Sequence, residues 1–228
     1  MSGAPLLAIE TSTTTGSVAA GVERAAVEVR LAPPVRHAEA LLPAIEFVLD
    51  AAGIRKRDLA GIVVGGGPGS FTGLRIAAAT GKALAHALGA PLFAGSGLLA
   101  QAAVLADASV PVCALFDARR GEVYAGCYHF QAPAAPSVLL EPMVGDALAV
   151  VELLRAHDPL YVGEGAQRNA HLLLDAGARL AGMSDAAPSA AALLRLVAAA
   201  PERFRVTDPA AWQPLYVRAS SAERGLSV

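Results

Sequence analysis

The 228-residue sequence is poor in cysteine, lysine and aromatics: Cys113 and Cys127 are the only cysteines, Lys56 and Lys82 the only lysines, and aromatic residues make up 5%. Two cysteines without a nearby histidine pair exclude a disulfide framework and a local zinc knuckle, so both read as buried reduced thiols. The 18 basic residues do not outnumber the 20 acidic ones, and a net charge of −2 lacks the positive field of a protein that grips nucleic acid unaided. No apolar run approaches the roughly 18 residues needed to span a bilayer. The start, MSGAPLLAIETS, lacks the basic segment and long apolar stretch of a signal peptide, which leads us to expect a soluble, cytoplasmic protein without membrane attachment. His37, His86, His129, His157 and His171 contain no pair at i, i+3 or i+4, so no local metal-binding signature exists. No serine lies in a G-x-S-x-G elbow.

What is abundant is small apolar side chain: hydrophobic residues make up 54%, and alanine alone supplies 52 of the 228. The length suits one large or two small domains. Leu6 to Ile9, Ser17 to Val22 and Ala25 to Leu31 read as a three-stranded meander. After Pro33-Pro34, residues Leu41, Leu42, Ile45, Val48 and Leu49 recur at helical spacing until Gly53. A buried strand at Gly61 to Gly65, a long alanine-rich helix at Phe71 to Leu88, a strand at Pro91 to Ala94 and a helix at Leu98 to Ala106 complete the order βββαβα. A hairpin then starts again: Val110 to Phe116, Glu122 to Phe130 and Val138 to Leu140 as strands, a helix at Ala147 to Ala156, a strand at Leu160 to Gly163, and helices around His171 to Ala176 and Ser189 to Ala199. The second half is a reduced copy of the first in pattern, not in letters. Ala132 to Pro136 is a low-complexity loop, and Asp107 to Ser109 is the candidate boundary.

Two loops are placed for anion chemistry. Gly65-Gly66-Gly67-Pro68-Gly69-Ser70-Phe71-Thr72-Gly73-Leu74-Arg75 joins a strand to a helix, where backbone N–H groups converge and glycine admits a phosphate closely. It is neither a Walker loop nor a dinucleotide fingerprint: Gly81-Lys82 lies mid-helix and is followed by Ala83, and the third fingerprint glycine falls at Thr72. The other reading of these glycines is a tight turn and nothing more. The hydroxyl-rich tip Glu10-Thr11-Ser12-Thr13-Thr14-Thr15-Gly16 donates to phosphate in one reading and is an ordinary turn in the other.

Taken together, LAIETSTTTGSVA, RHAEALLPAIEFVL, GGGPGSFTGLRIAAATGKALA, DARRGEVYAGCY and PLYVR resemble the TsaB (YeaZ) family, within the actin-like ATPase superfamily, over Leu7 to Arg218. The resemblance implies an α/β fold of two actin-like (ribonuclease H-like) βββαβα domains, the second reduced: residues 1–107 and 108–228, with the tail beyond about 200 packing back on the first. It also implies a non-catalytic scaffold that binds and activates TsaD for threonylcarbamoyl transfer to the tRNA adenosine beside the anticodon. TsaE would join a ternary complex, TsaC would make the adenylate, tRNA would be met only through the complex, and the chain alone would be a homodimer. No cofactor, catalytic residue or metal ligand is then required. Any nucleotide binding would be weak and vestigial, at Glu10, Thr11, Ser12, Gly67, Gly69, Ser70, Thr72, Gly73, Arg75 and Asp117. Glu10 stands where the family generally carries Asp. The metal-holding histidine pair of TsaD has no counterpart in Leu92-Phe93-Ala94-Gly95-Ser96-Gly97-Leu98-Leu99-Ala100. Asp117 is either a residue that hydrates a metal or a turn carboxylate pairing with Arg119 or Arg120. The competing functional class is an active nucleotide hydrolase or kinase using Thr11, Ser12, Gly69 and Asp117. The expected partner surface is a helix pair presenting Leu41, Leu42 and Ile45 from the first helix and Leu74, Ala78, Gly81, Ala85 and Leu88 from the second, because a helix apolar all round must be covered all round; the other reading of the same residues is that both faces are internal core.

Overall fold

The computed structural model describes residues 3–22, 25–34, 36–131, 136–182 and 187–217. Glu23-Arg24, most of the 132–136 loop and Arg218 of the PLYVR string lie outside them. Two five-stranded sheets result. The first is built from β1 (Leu6–Glu10), β2 (Gly16–Val22), β3 (Ala25–Leu31), β4 (Gly61–Gly65) and β5 (Leu92–Gly95) in the order β3-β2-β1-β4-β5. The second contains β6 (Val112–Arg119), β7 (Glu122–Phe130), β8 (Pro136–Asp146), β9 (Leu160–Val162) and β10 (Arg179–Leu180), ordered β10-β9-β6-β7-β8. Each sheet has an antiparallel meander on one side and parallel strands on the other. This is the mixed α/β fold class expected from the element order.

Strand alternation sorts the first sheet's residues between two faces. Leu7, Ile9, Val18, Ile62 and Val64 pack under α1 (His37–Ala51) and α2 (Phe71–Leu88). Leu6, Ala8, Ala19 and Val63 face a central layer of α3 (Gly97–Ala102) and α7 (Ala190–Ala199). That layer also packs on Val112, Ala114 and Phe116 of β6, so one apolar core joins the two sheets. On the far side of the second sheet, α4 (Ala147–Leu154), α5 (Glu164–Arg168) and α6 (Ala170–Asp175) contribute Val150, Leu154, Ala166 and Leu173 to a third core with both cysteines.

Local chemistry sets the helix ends. The Ser70 hydroxyl caps α2 by accepting from Gly73 N, and Gly89, left-handed at φ 62°, ends it. Asp146 caps α4 with bonds from Leu148 N and Ala149 N. The start of α7 is clamped to the first sheet: Glu28 of β3 accepts from the Ser189 hydroxyl at 3.0 Å and from Ala191 N at 3.1 Å, while Ser17 of β2 accepts from Ala190 N at 2.8 Å. A carboxylate at a helix N-terminus is favoured by the helix dipole. The return of the chain to the first sheet thus begins at Ser189. It continues past α8 (Pro201–Phe204), with Arg205 bridging to Phe93 and Val206 N donating to Leu92 O along the edge of β5.

Candidate functional site

The loops after β1 and β4 and the tip of the β6–β7 hairpin face one another across a cleft of about 350 Å³. Its walls include Ser12, Thr13 and Thr14, Gly69 to Phe71, Asp117 to Arg120, Tyr124, His37, Glu164 of α5, and Leu215 to Val217. Of the residues singled out from the sequence as vestigial phosphate contacts, Ser12, Gly69, Ser70 and Asp117 line it. Glu10, Thr11, Gly67 and Gly73 lie behind the wall, and Thr72 and Arg75 are exposed on α2 outside it. The Arg75 guanidinium sits 4.7 Å from the centre of the Phe71 ring.

The glycine loop is folded onto its own chain. A Cβ on Gly69 would stand 2.3 Å from the Ser12 carbonyl oxygen, and one on Gly73 would stand 1.9 Å from that of Thr11. Ser70 N donates to Ser12 O at 2.7 Å, and the Thr11 hydroxyl donates to Gly73 O at 2.8 Å. From the other side, Leu215 N donates to Gly66 O at 2.7 Å, the Leu215 carbonyl crowds Gly67, and Tyr216 packs on Phe71 with ring centres 5.0 Å apart. These glycines admit protein backbone.

Glu10 is fully buried at the end of β1. Its Oε1 accepts from Ser12 N at 2.6 Å, while Oε2 and the Ser12 hydroxyl both lie beside Gly97. Burial pushes the Glu10 carboxyl above its ordinary value, against the lowering effect of its hydrogen bonds at Ser12 and Thr11. Burial also lowers the pKa of His37, which favours the neutral ring.

On the opposite wall Asp117 holds the hairpin tip. Its Oδ1 accepts from Arg119 N at 2.9 Å, and its Oδ2 pairs with Arg168 Nη1 at 3.0 Å. The ion-pair partner is therefore Arg168 of α5, distant in sequence, not Arg119 or Arg120 as the turn alone suggested. The Thr14 hydroxyl reaches across the cleft to Glu164 at 2.8 Å. Periodicity had no access to Glu164, Arg168 or Tyr216 as site residues, because α5 is too short to leave a pattern and the 205–217 segment has no regular period. Among the described residues, no group of three or more His, Cys, Asp or Glu side chains is gathered as a metal site.

The expected partner face needs correction. Leu41, Ile45 and Ala85 are buried in the core beneath the first sheet, Gly81 packs on Val64 of β4, Leu74 is buried beside Gly67, and Ala78 is 7% exposed. The periodic residues face inward because helical spacing marks the side that meets the sheet, and a Cβ on Gly81 would stand 2.3 Å from Val64 Cγ1. Leu42 and Phe47 of α1 are instead 59% and 58% exposed, Ala79, Ala83 and Ala87 of α2 are exposed, and Leu88 is half-buried.

Residues 34–152, which include the glycine loop, α2 and the β6–β7 hairpin, match the family profile described as TsaD, tRNA N6-adenosine threonylcarbamoyltransferase. A Pseudomonas aeruginosa structure described as similar to peptidase YeaZ superposes with a TM-score of 0.79 at 32% identity, covering 94% of this chain and all of that one. YeaZ from the same organism gives 0.73 at 31% identity, covering 93% and 99%. The chain belongs to the TsaB (YeaZ) family. The Bacillus subtilis tRNA threonylcarbamoyladenosine biosynthesis protein TsaB is 33% identical over 145 residues, and the alignment spans 61% of each chain. TsaB of this family is named for tRNA threonylcarbamoyladenosine biosynthesis. No helix among the described residues is long and apolar enough to cross a membrane.

Proposed function

We propose that this TsaB-family chain is a non-catalytic scaffold in threonylcarbamoyladenosine formation, one that binds a TsaD-type transferase and holds it in its active state. The observation that carries the reading is the closure of the glycine loop. With Gly69 and Gly73 filled by the Ser12 and Thr11 carbonyls, and Gly66 bonded to Leu215, the loop has little room for a phosphate. On this reading the chain needs no cofactor, tRNA is met only through the complex, and TsaE joins a ternary complex.

The docking face we assign is the outward side of α1 and α2. Both helices cover the same face of the first sheet, and their solvent side carries Leu42, Phe47, Ala79 and Ala83. Large apolar groups beside small ones let a partner helix approach closely. The same face would pair two copies when the transferase is absent. Titration of the chain with its TsaD should give a one-to-one complex. Leu42→Arg with Phe47→Arg should weaken it at least tenfold while circular dichroism stays unchanged, since a charge buried in an apolar contact without a partner is costly. Unchanged affinity would place the interface elsewhere. ATP turnover by the purified chain with magnesium, lost in Asp117→Ala, would establish the competing hydrolase reading instead.

A further inference from the structure

The second sheet sets the chain's two cysteines side by side. Cys113 of β6 lies directly opposite Cys127 of β7 in the antiparallel register, and both are free and fully buried. Directly opposed residues in such a ladder have Cα atoms about 4.5–5.5 Å apart, inside the span of about 4.4–6.8 Å that a disulfide bridges. Both side chains face the third core beside Tyr161, whose position on β9 pairs with Cys113, and the two thiols are within hydrogen-bonding reach of each other. Burial pushes the Cys113 thiol up, which keeps it protonated. Access to the two differs. Strand β6 is the centre of its sheet, whereas the outer neighbour of β7 is β8, the edge strand. The β7–β8 ladder shifts register on both sides of Cys127, and only Pro136 of β8 is fully buried. An interrupted ladder at a sheet edge opens locally at lower cost than the sheet centre.

We propose that Cys113 and Cys127 form a redox modification site, closed to an intrachain disulfide by a peroxide. Full burial keeps out a bulky oxidant such as oxidised glutathione, while hydrogen peroxide is close to water in size. As β8 opens, Cys127 gives its proton to solvent and the thiolate attacks one peroxide oxygen. The O–O bond breaks, Cys127 becomes a sulfenic acid, and the departing hydroxide takes up a proton to leave as water. The Cys113 sulfur then attacks the sulfenic sulfur: the S–S bond forms, the S–O bond breaks, and the hydroxyl leaves with the Cys113 proton as a second water. Two thiols lose two electrons and one peroxide is reduced to two waters. The new bond ties together the strands of the hairpin whose tip holds Asp117, and it closes a short loop that constrains the unfolded chain. The proposal does not depend on the scaffold reading, because neither cysteine lies on α1 or α2.

The test is exposure of the full reduced chain to hydrogen peroxide, followed by unfolding, alkylation and mass spectrometry. Both thiols should escape alkylation, and trypsin, which cuts after Arg119 and Arg120 between the two cysteines, should release one linked peptide pair. The oxidised chain should melt at a higher temperature than the reduced one, with the rise reversed by dithiothreitol. Cys113→Ala and Cys127→Ala should each lose both the link and the rise, and dimedone should capture a sulfenic acid in Cys113→Ala. Oxidised glutathione should leave both thiols open to alkylation. Thiols that stay reduced in peroxide overturn the proposal, as do sulfinic acids or links between chains in place of the intrachain bond. An unchanged or lowered melting temperature on oxidation, a glutathione adduct, or dimedone capture in Cys127→Ala alone would overturn it equally.

Discussion

The two hairpin loops that face each other across the cleft have opposite characters. The wall made by residues 10–14 and 65–73 is largely buried, and its backbone groups are bonded to one another. The wall at 117–121 ends in an exposed, positively charged tip with three left-handed residues. The same hairpin-start architecture therefore supports two outcomes: packing precision at one copy and presented charge at the other. Glycine is required in the first because backbone comes within van der Waals range of backbone. It is required in the second only for its φ.

The sharpest break of that contrast is Gly73→Ala. A methyl group 1.9 Å from the Thr11 carbonyl has no flexible neighbour to displace, so the loss should be upward of about 3 kcal/mol, read as a drop in the urea midpoint. Glu10→Gln should act in the opposite direction at neutral pH. Because burial raises the folded-state pKa above the ordinary 4.5, the protonated acid suits the fold; stability present below 4.5 is lost as pH rises through the folded value. Glutamine keeps an acceptor for Ser12 N and does not titrate. Melting curves should therefore show the variant more stable than the parent at pH 7, with the gain gone at pH 4.

At the other wall effects should be milder. A Cβ on Gly121 would meet nothing within 4 Å, so Gly121→Ala should cost only the left-handed backbone, about 1–2 kcal/mol by chemical denaturation. A loss as large as that of Gly73→Ala would erase the distinction between the walls. Smallest of all is Thr14→Val, which removes one exposed hydrogen bond to Glu164 and should change stability by less than about 0.5 kcal/mol.

Much of the fold was legible because periodicity and end signals agreed. The helix expected over Phe71 to Leu88 has those bounds in the structure, as do the strands at Ala25 to Leu31 and Gly61 to Gly65, and the other first-half strands differ by one residue at one or both ends. The second half was read less completely. Strand β8 runs from Pro136 to Asp146, well beyond the expected Val138 to Leu140, because pairing with β7 through register shifts carries residues that lack strict alternation. Strand β10 has two residues and α5 has five, too few for any period to register. For the site, the glycine string and hydroxyl loop marked the correct neighbourhood but not which residues line it.

The sequence by itself determined the element order of the first half, the α/β class, the glycine turn and the family resemblance, since each depends on neighbours within a few positions or on a string of letters. Tertiary structure alone decided which way the helix faces point and what occupies the glycine loop. The apolar stripe of a helix has the same spacing whether it meets its own sheet or a partner, so Leu41 and Ile45 turned out to be core while Leu42 and Phe47 remained outside. The contacts between Ser12 and Gly69, Leu215 and Gly66, and Asp117 and Arg168 join residues about 50 to 150 positions apart. No local pattern encodes such pairings, because they arise only when the two sheets and the returning C-terminal segment pack together.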